Sequence, residues 1–390
     1  VGYDINCGVR LLRTHLREEE VLGKREQLAR RLFRDVPTGV AARGGIRKLS
    51  EREMERLALR GARWAVEEGY GREEDLEFIE EGGCLGGADP SLVSSYAVKR
   101  GMQQVGTLGS GNHFLEVDVV EEVYDTSIGG VLGLEKGQIV VIIHCGSRGY
   151  GHQIASEYIE VMERAVKKYG ISLPDKQLAC APLSSPEAKD YLAAMACAAN
   201  FAWANRQVIM YLAKKSFLHT FQIRGSELGM EIIYDVCHNI AKFEVHKVDG
   251  KERRVCVHRK GATRAFPPGH PQTPRKYREI GQPVLIPGDM GRYSYVLVGA
   301  PGAMEASFGS SCHGAGRILS RVKSRKKCQN MDMFQVLEGY GVTVKATGKR
   351  TIAEEMPHAY KDVAEVVDVV ERAGLSKIVA RVKPLVVIKG

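Results

Sequence analysis

No run of this 390-residue chain is apolar for long enough to cross a bilayer. The block Ile139–Ile143 has the length of a buried strand, whereas a spanning helix needs about 20 apolar residues. No CxxC pair occurs among the nine cysteines, their number is odd, and no framework spacing relates them. That pattern argues for thiols that are free or metal-bound in a reducing compartment, against a disulfide scaffold. No signal peptide is visible, because the first residues carry Asp4 and Arg10 and lack an apolar core segment. The chain opens at Val1 inside what reads as a motif, so an upstream segment is expected to be absent from it. Internal repeats, low-complexity tracts and a clear interdomain linker are also missing. Neither sign of charge dominates: 56 Lys+Arg against 47 Asp+Glu give +9, compatible with nucleic-acid binding without establishing it. What is there is 44% apolar and 26% charged residues, enough for a sizeable core in one large domain or two ordinary ones.

Helical and strand patterns interleave without regular alternation. Helical spacing predicts helices over Arg17–Phe33 and Ser50–Glu67, the second capped by Ser50 with Met54, Leu57, Ala58 and Trp64 as its apolar stripe. Further helices are expected near Ser91–Lys99, Gly151–Lys168, Ser185–Lys215 (one long helix or two), Met331–Leu337 and Lys361–Ala373. Val1–Leu12 reads as a turn and strand. Other strands are expected after Asn112-His113, at Gln138–Ile143 (apolar on both faces, hence buried), Ile232–Val236, Pro283–Ile286, Ser294–Val298, Val342–Lys345 and Ile378–Lys389. Two more, Ala241–Val248 and Arg253–His258, flank the hairpin turn Asp249-Gly250. Such a mixture predicts an α+β fold.

The stretch Ser307–Arg317 frames His313 with small residues and reads as running straight into a helix that carries Arg317 and Arg321. Small residues let a bulky ligand approach the backbone, and the free N–H groups of a first helical turn favour anionic oxygens. His113, His144 and His238 share the same setting, a strand end beside Gly, Ser or Asn, and Asp4 and Cys7 form a similar polar pair near the start. Strand ends and the loops that leave them are where sites are built. A thiolate, imidazoles and carboxylates suit borderline divalent metals such as Zn, Mn, Co or Ni. One histidine in such a place is commonly an ordinary turn or core residue; four, with Asp4 and Cys7, point towards a metal site.

Phosphate handling is a second theme. The Gly-rich loops Gly106–Gly111 and Gly146–Gly149 could turn backbone N–H groups towards an anion. Arg148, Lys260, Arg264, Arg317 and Arg321 offer charge, though each alone also reads as a solvated surface cation. Lys247-Val248-Asp249-Gly250 matches the KxDG pattern of lysine-nucleotidylating ligases, but turn chemistry explains Asp249-Gly250 and the other motifs of that superfamily are absent.

Taken together, Gly2–Arg10, Gly106–Glu116, His144–Gly149, Ser307–Arg317 and Lys383–Gly390 resemble the RtcB family, GTP-dependent RNA ligases that join a 3′-phosphate or 2′,3′-cyclic phosphate end to a 5′-hydroxyl end. Tyr234–Ala241, Val257–Pro268 and Pro283–Tyr295 fit as well, and the resemblance extends over essentially the whole chain, closest to archaeal and eukaryotic members. It implies one large domain over 1–390, with mixed and antiparallel sheets surrounded by helices and its N-terminal portion missing. His313 would take GMP from GTP as a phosphoramidate. Asp4, Cys7, His113, His144 and His238 would hold two Mn²⁺ ions, with Cys7 bridging. Asn112, Phe114, Glu116, Ser294, Gly314, Ala315, Gly316, Tyr360 and Lys389, with His313, would surround the guanylate. Lys99, Arg100, Arg148, Lys260, Arg317 and Arg321 would face RNA or phosphate oxygens. The resemblance further implies tRNA exon halves as substrate, an archease-type activator, a multi-subunit tRNA-ligase complex as assembly, and a cytoplasmic location, also nuclear in a eukaryote, with no membrane partner. One departure is Cys145, where family members usually carry serine. A metal-dependent phosphoesterase, needing the metal residues but not His313, is the runner-up. A non-catalytic RNA-binding subunit, which would tolerate decay of the metal ligands, is the third reading.

Overall fold

The computed structural model describes residues 1–390. Its strands, in chain order, are β1 (Gly8–Arg17), β2 (Phe114–Val123), β3 (Gln138–Cys145), β4 (Glu231–Cys237), β5 (Asn239–Val248), β6 (Lys251–Lys260), β7 (Ala262–Arg264), β8 (Pro283–Ile286), β9 (Ser294–Gly299), β10 (Ser310–Cys312), β11 (Thr343–Ala346) and β12 (Ser376–Lys389). Eight of them form one sheet in the order β4-β1-β3-β2-β12-β9-β8, with β11 beside β12. Every pairing in it is antiparallel except β11 with β12. β8, at one edge, curls back towards β4 and β1. Helices cover the sheet, so the architecture is α+β, as expected. No helix is long and apolar enough to cross a membrane.

Valine and isoleucine fill β3, which has no polar face to offer water; all eight of its residues are buried between β1 and β2. On one face of the sheet, Leu12, Leu115, Val117, Val141 and Ile143 pack against helices. On the other, Val9, Leu11, Val140, Ile142 and Val382 fill the inside of the curl. The register decides where the polar ends fall. Gly8 stands opposite both Cys145 and Cys237, and His144 stands opposite both Val9 and Phe114. Lys389 at the end of β12 also stands opposite Phe114. The residues just before β1 and β2, those closing β3 and β12, and the one just after β4 therefore gather at one end of the sheet.

Ser185–Lys215 belongs to a single helix, Pro186–Phe221, capped by Ser185 accepting from Ala188 N at 3.2 Å. It runs across the helices Arg25–Asp35, Glu51–Arg60, Ala62–Glu67 and Arg148–Lys168. Its buried stretch is not wholly apolar: Asn200, Asn205, Arg206 and Gln207 have no exposure.

Several expected boundaries move. β1 continues to Arg17, and the helix expected over Arg17–Phe33 is two, Glu18–Leu22 and Arg25–Asp35, divided around Gly23. Ser50 caps its helix, but Gly61 at φ +58° splits it into Glu51–Arg60 and Ala62–Glu67, since that backbone cannot continue a right-handed helix. Near Ser91 a short 3₁₀ turn, Pro90–Leu92, precedes the α-helix Ser95–Gly101. Asp249 and Gly250, at φ 51° and 75°, form the expected tight turn between β5 and β6, which leaves the KxDG match no role beyond a hairpin. The largest correction concerns His313: no helix follows it. β10 delivers the chain to His313, the backbone turns at Gly316 (φ +77°), and the next helix, Arg321–Lys327, begins only under the Ser320 cap. The expected helix N-terminus for anions is therefore not at His313, and Arg317 stands outside any helix.

Candidate active site

The end of the sheet described above brings five sequence-predicted donors together. Cys7 Sγ lies 3.5 Å from His113 Nε2 and 3.2 Å from His144 Nε2. Asp4 Oδ2 lies 2.7 Å from His113 Nε2, and His144 Nε2 lies 3.2 Å from His238 Nε2. Two trios, Cys7–His144–His238 and Asp4–Cys7–His113, each have all their ligand atoms within 4.8 Å of one another, and Cys7 belongs to both. Imidazole nitrogens and a sulfur that face each other in this way are a donor set for a divalent transition metal. Burial and the neighbouring cations push His144 and His238 well below the usual imidazole range, leaving the neutral rings a metal requires. Burial opposes ionisation of Asp4, yet His113 outweighs it and holds the carboxyl at about 2. Burial and Asp4 together push the Cys7 thiol up to about 12.

A layer of buried polar groups fixes the loops that carry these donors. Asp235 holds both Arg206 and Arg10 at 2.8–2.9 Å. Arg206 in turn donates to Asn6 O at 2.8 Å and Cys145 O at 2.9 Å, tying the backbones beside Cys7 and His144. Asn205 Oδ1 accepts from Gly106 N (2.8 Å) and Thr107 N (3.2 Å). Ser147 N donates to Asp4 Oδ1 at 3.2 Å and Gly149 N to Gln104 Oε1 at 2.8 Å. These contacts narrow what the two Gly-rich loops offer an anion: the N–H groups of Gly106, Thr107, Ser147 and Gly149 are taken by side chains of this chain.

His313 lies beside the donor cluster. Its ring stacks on His238 with centroids 4.3 Å apart and planes at 30°. Burial lowers its pKa, so the ring is neutral near pH 7. His313 through Gly316 form one wall of a cavity of about 320 Å³. Asn112, Phe114, Glu116, Ser294, Tyr360 and Lys389 line it as well, so every residue expected around the guanylate meets there. Lys389 Nζ donates to Gly111 O at 2.8 Å and His113 O at 3.3 Å, and burial lowers its pKa. Burial and the nearby Asp118 push Glu116 well above the usual carboxylate range.

The expected phosphate-facing cations divide into two groups. Lys99 and Lys260 are exposed, and Arg321 is exposed while also lining the cavity. Arg100 is half-buried and donates to Gln153 Oε1 at 2.9 Å. Arg148 is turned inward instead, donating to Thr107 Oγ1 at 3.1 Å and Gly39 O at 2.8 Å. Arg317 lines the cavity but is bonded to Glu355 (3.1 Å), Glu354 O (2.6 Å) and the Tyr360 hydroxyl (3.1 Å), and Tyr360 donates to Glu355. Arg264 is buried against Glu81 at 2.7 Å. Sequence reasoning missed Glu355 and Asp289 in the cavity wall, and the Asp235–Arg206–Asn205 layer behind the donors. The available signal for the second was an Asn-Arg-Gln triplet inside an alanine-rich helix.

A family model described as tRNA-splicing ligase RtcB matches residues 1–390. Proteins described as tRNA-splicing ligase RtcB from Archaeoglobus fulgidus, Thermococcus kodakarensis and Aeropyrum pernix are 55%, 53% and 51% identical to this chain. Each of these alignments takes in 100% of the chain and 81% of the relative.

Proposed function

The chain belongs to the RtcB family, and from that membership and the site's geometry we propose that it is a GTP- and Mn²⁺-dependent RNA ligase of tRNA splicing and RNA repair, joining 3′-phosphate or 2′,3′-cyclic phosphate ends to 5′-hydroxyl ends through a guanylylated His313. The observation that carries this reading is the position of His313, stacked on His238 of the donor cluster and opening onto the cavity lined by Asn112, Phe114, Glu116, Ser294, Tyr360 and Lys389.

Neutral His313 attacks the α-phosphorus of GTP: a P–N bond forms, the α–β anhydride bond breaks and pyrophosphate leaves. An oxygen of the RNA 3′-phosphate then attacks the same phosphorus, the P–N bond breaks, and the RNA end is left activated as a mixed anhydride. The 5′-hydroxyl attacks the RNA phosphorus and GMP departs. Cyclic ends are hydrolysed to the 3′-phosphate beforehand. Phosphoryl transfer asks chiefly for alignment and charge stabilisation. Lys389 faces the guanine edge with Glu116 as a second polar contact, and Phe114 offers the base an apolar surface. Asp4, Cys7, His113, His144 and His238 would hold the Mn²⁺ ions, which when bound would supply positive charge to the phosphoryl oxygens. Lys99, Arg100, Lys260 and Arg321 engage RNA phosphates, whereas Arg148 and Arg317 hold the walls of the site. The substrate is tRNA exon halves; an archease-type activator and a multi-subunit tRNA-ligase complex are the partners, in the cytoplasm or nucleus.

The test mixes the protein with Mn²⁺ and GTP labelled on the α-phosphate. The expected result is a denaturation-stable adduct, labile in acid, stable in alkali and lost in His313→Ala. Mn²⁺ binding without any adduct would overturn the ligase reading and favour the phosphoesterase.

A further inference from the structure

Cys145 follows His144 on β3, and neighbouring strand residues face opposite ways. While His144 turns towards Cys7 and His238, the fully buried Cys145 turns to the far side of another candidate ligand: its Sγ lies 3.7 Å from His113 Nδ1. The opposite nitrogen of that ring, Nε2, faces Asp4 and Cys7. The His113 ring is thus bracketed, with the donor cluster on one edge and a thiol on the other.

The polar contacts around the thiol fix which group gives and which receives. Asn205 Oδ1 accepts two backbone N–H groups, from Gly106 and Thr107, so the amide orientation is determined and its Nδ2 can only donate. That Nδ2 lies 3.3 Å from Cys145 Sγ, 3.3 Å from Thr107 O and 3.2 Å from Gly146 O, so towards the sulfur it acts only as a donor and never takes the thiol proton. The acceptor for the thiol proton is Thr107 O, 3.6 Å away. With its own proton directed to a carbonyl, the sulfur meets His113 Nδ1 as an acceptor, and the ring nitrogen donates. We propose that Cys145 is a positioning residue that, by accepting the Nδ1–H of His113, holds this ring in the tautomer whose Nε2 lone pair serves a divalent metal ion between Asp4 and Cys7. The proposal rests on the metal reading above but not on GTP, RNA or His313. Ligands of this kind commonly have the second ring nitrogen tied to a carboxylate, carbonyl or water. Here a thiol, itself oriented by Asn205 and Thr107, takes that place.

The test compares Cys145→Ser with Cys145→Ala. The two leave nearly the same space beside the ring and differ by one hydroxyl, which can accept from Nδ1–H. Mn²⁺ affinity is measured on metal-free protein by electron paramagnetic resonance of the free ion, with no nucleotide present. Thermal melting of the metal-free variants shows that both fold equally. Cys145→Ala is expected to bind Mn²⁺ about 10–100-fold more weakly than wild type, with Cys145→Ser close to wild type. Equal affinities for the two variants, whether weakened together or both unchanged, would overturn the proposal and reduce Cys145 to packing. Failure of the wild-type protein to bind Mn²⁺ would overturn the metal reading and this proposal with it. A serine–alanine difference in a protein that never forms a guanylate adduct would support the proposal while the ligase reading fails.

Discussion

Asp235→Ala tests the account of the buried layer most directly. The Asp235 carboxylate is fully buried on β4 and accepts from Arg10 Nε at 2.8 Å and from Arg206 Nε and Nη2 at 2.9 and 2.8 Å. Removing it leaves two guanidinium groups with no exposure and no counter-charge in contact. Breaking a buried pair from one side costs about 3–5 kcal/mol, because the remaining charge stays desolvated. Against a typical stability of about 5–15 kcal/mol that is a large fraction. The comparison is Glu231→Ala on the same strand: its partner Arg13 lies at 2.6 Å, but the two side chains are 43% and 27% exposed, and a pair of that kind contributes about 0–1 kcal/mol. Urea unfolding is followed by fluorescence of Trp64 and Trp203, both fully buried. The midpoint should fall steeply for Asp235→Ala and little for Glu231→Ala. Because Arg206 also ties the Asn6 and Cys145 carbonyls, Mn²⁺ affinity should drop in the first variant and hold in the second. Equal midpoints would refute the argument that burial, rather than ion pairing as such, sets the cost.

Other outcomes follow from single features. Neither oxygen of the buried Asp118 carboxyl finds a donor, and burial pushes its pKa from 3.8 to about 8. The folded state keeps a proton that the unfolded chain loses, so this group's contribution is full below 3.8 and is lost as pH rises to about 8. Melting temperatures of Asp118→Asn should therefore fall less between those limits than those of wild type. A Cβ added at Gly61, at φ +58°, would stand 2.1 Å from Gly83 O, so Gly61→Ala should cost on the order of 1–3 kcal/mol in urea unfolding. Mn²⁺ at 100 times its dissociation constant should stabilise the wild type by about 2.7 kcal/mol, seen as a raised melting temperature, and His144→Ala should lose that rise. Lys389→Ala should bind Mn²⁺ normally while failing to form the guanylate adduct.

The three histidine donors were legible because each marks a break: apolar runs stop at His144 and His238, and His113 begins one. Their convergence was not, because it depends on register. Nothing near Lys389 announces that β12 is inserted between β2 and β9, which is what carries Lys389 to the carbonyl of His113. In the Gly-rich loops, composition reports backbone freedom without reporting that Asn205, Asp4 and Gln104 occupy four of the N–H groups. After His313 the small residues read as a helix start, but the left-handed turn at Gly316 delays the helix to Arg321. Arg206 stayed hidden because helical periodicity cannot distinguish an arginine facing solvent from one buried against Asp235.

The sheet order joins stretches of chain that are remote from one another: β1 lies between β3 and β4, and β12 between β2 and β9. Closing such loops costs entropy before the contacts form, which slows folding of sheets built this way. The donor cluster needs residues from Asp4 to His238 already in register, so it is assembled late. A metal ion in solution meets only the local Asp4–Cys7 pair on the folding chain, without the histidines that complete either trio, and does little to hasten the native state. Its leverage is on escape from that state: contacts completed only after the folding barrier slow unfolding. Bound metal should lengthen the lifetime of the native protein while leaving its rate of formation almost unchanged.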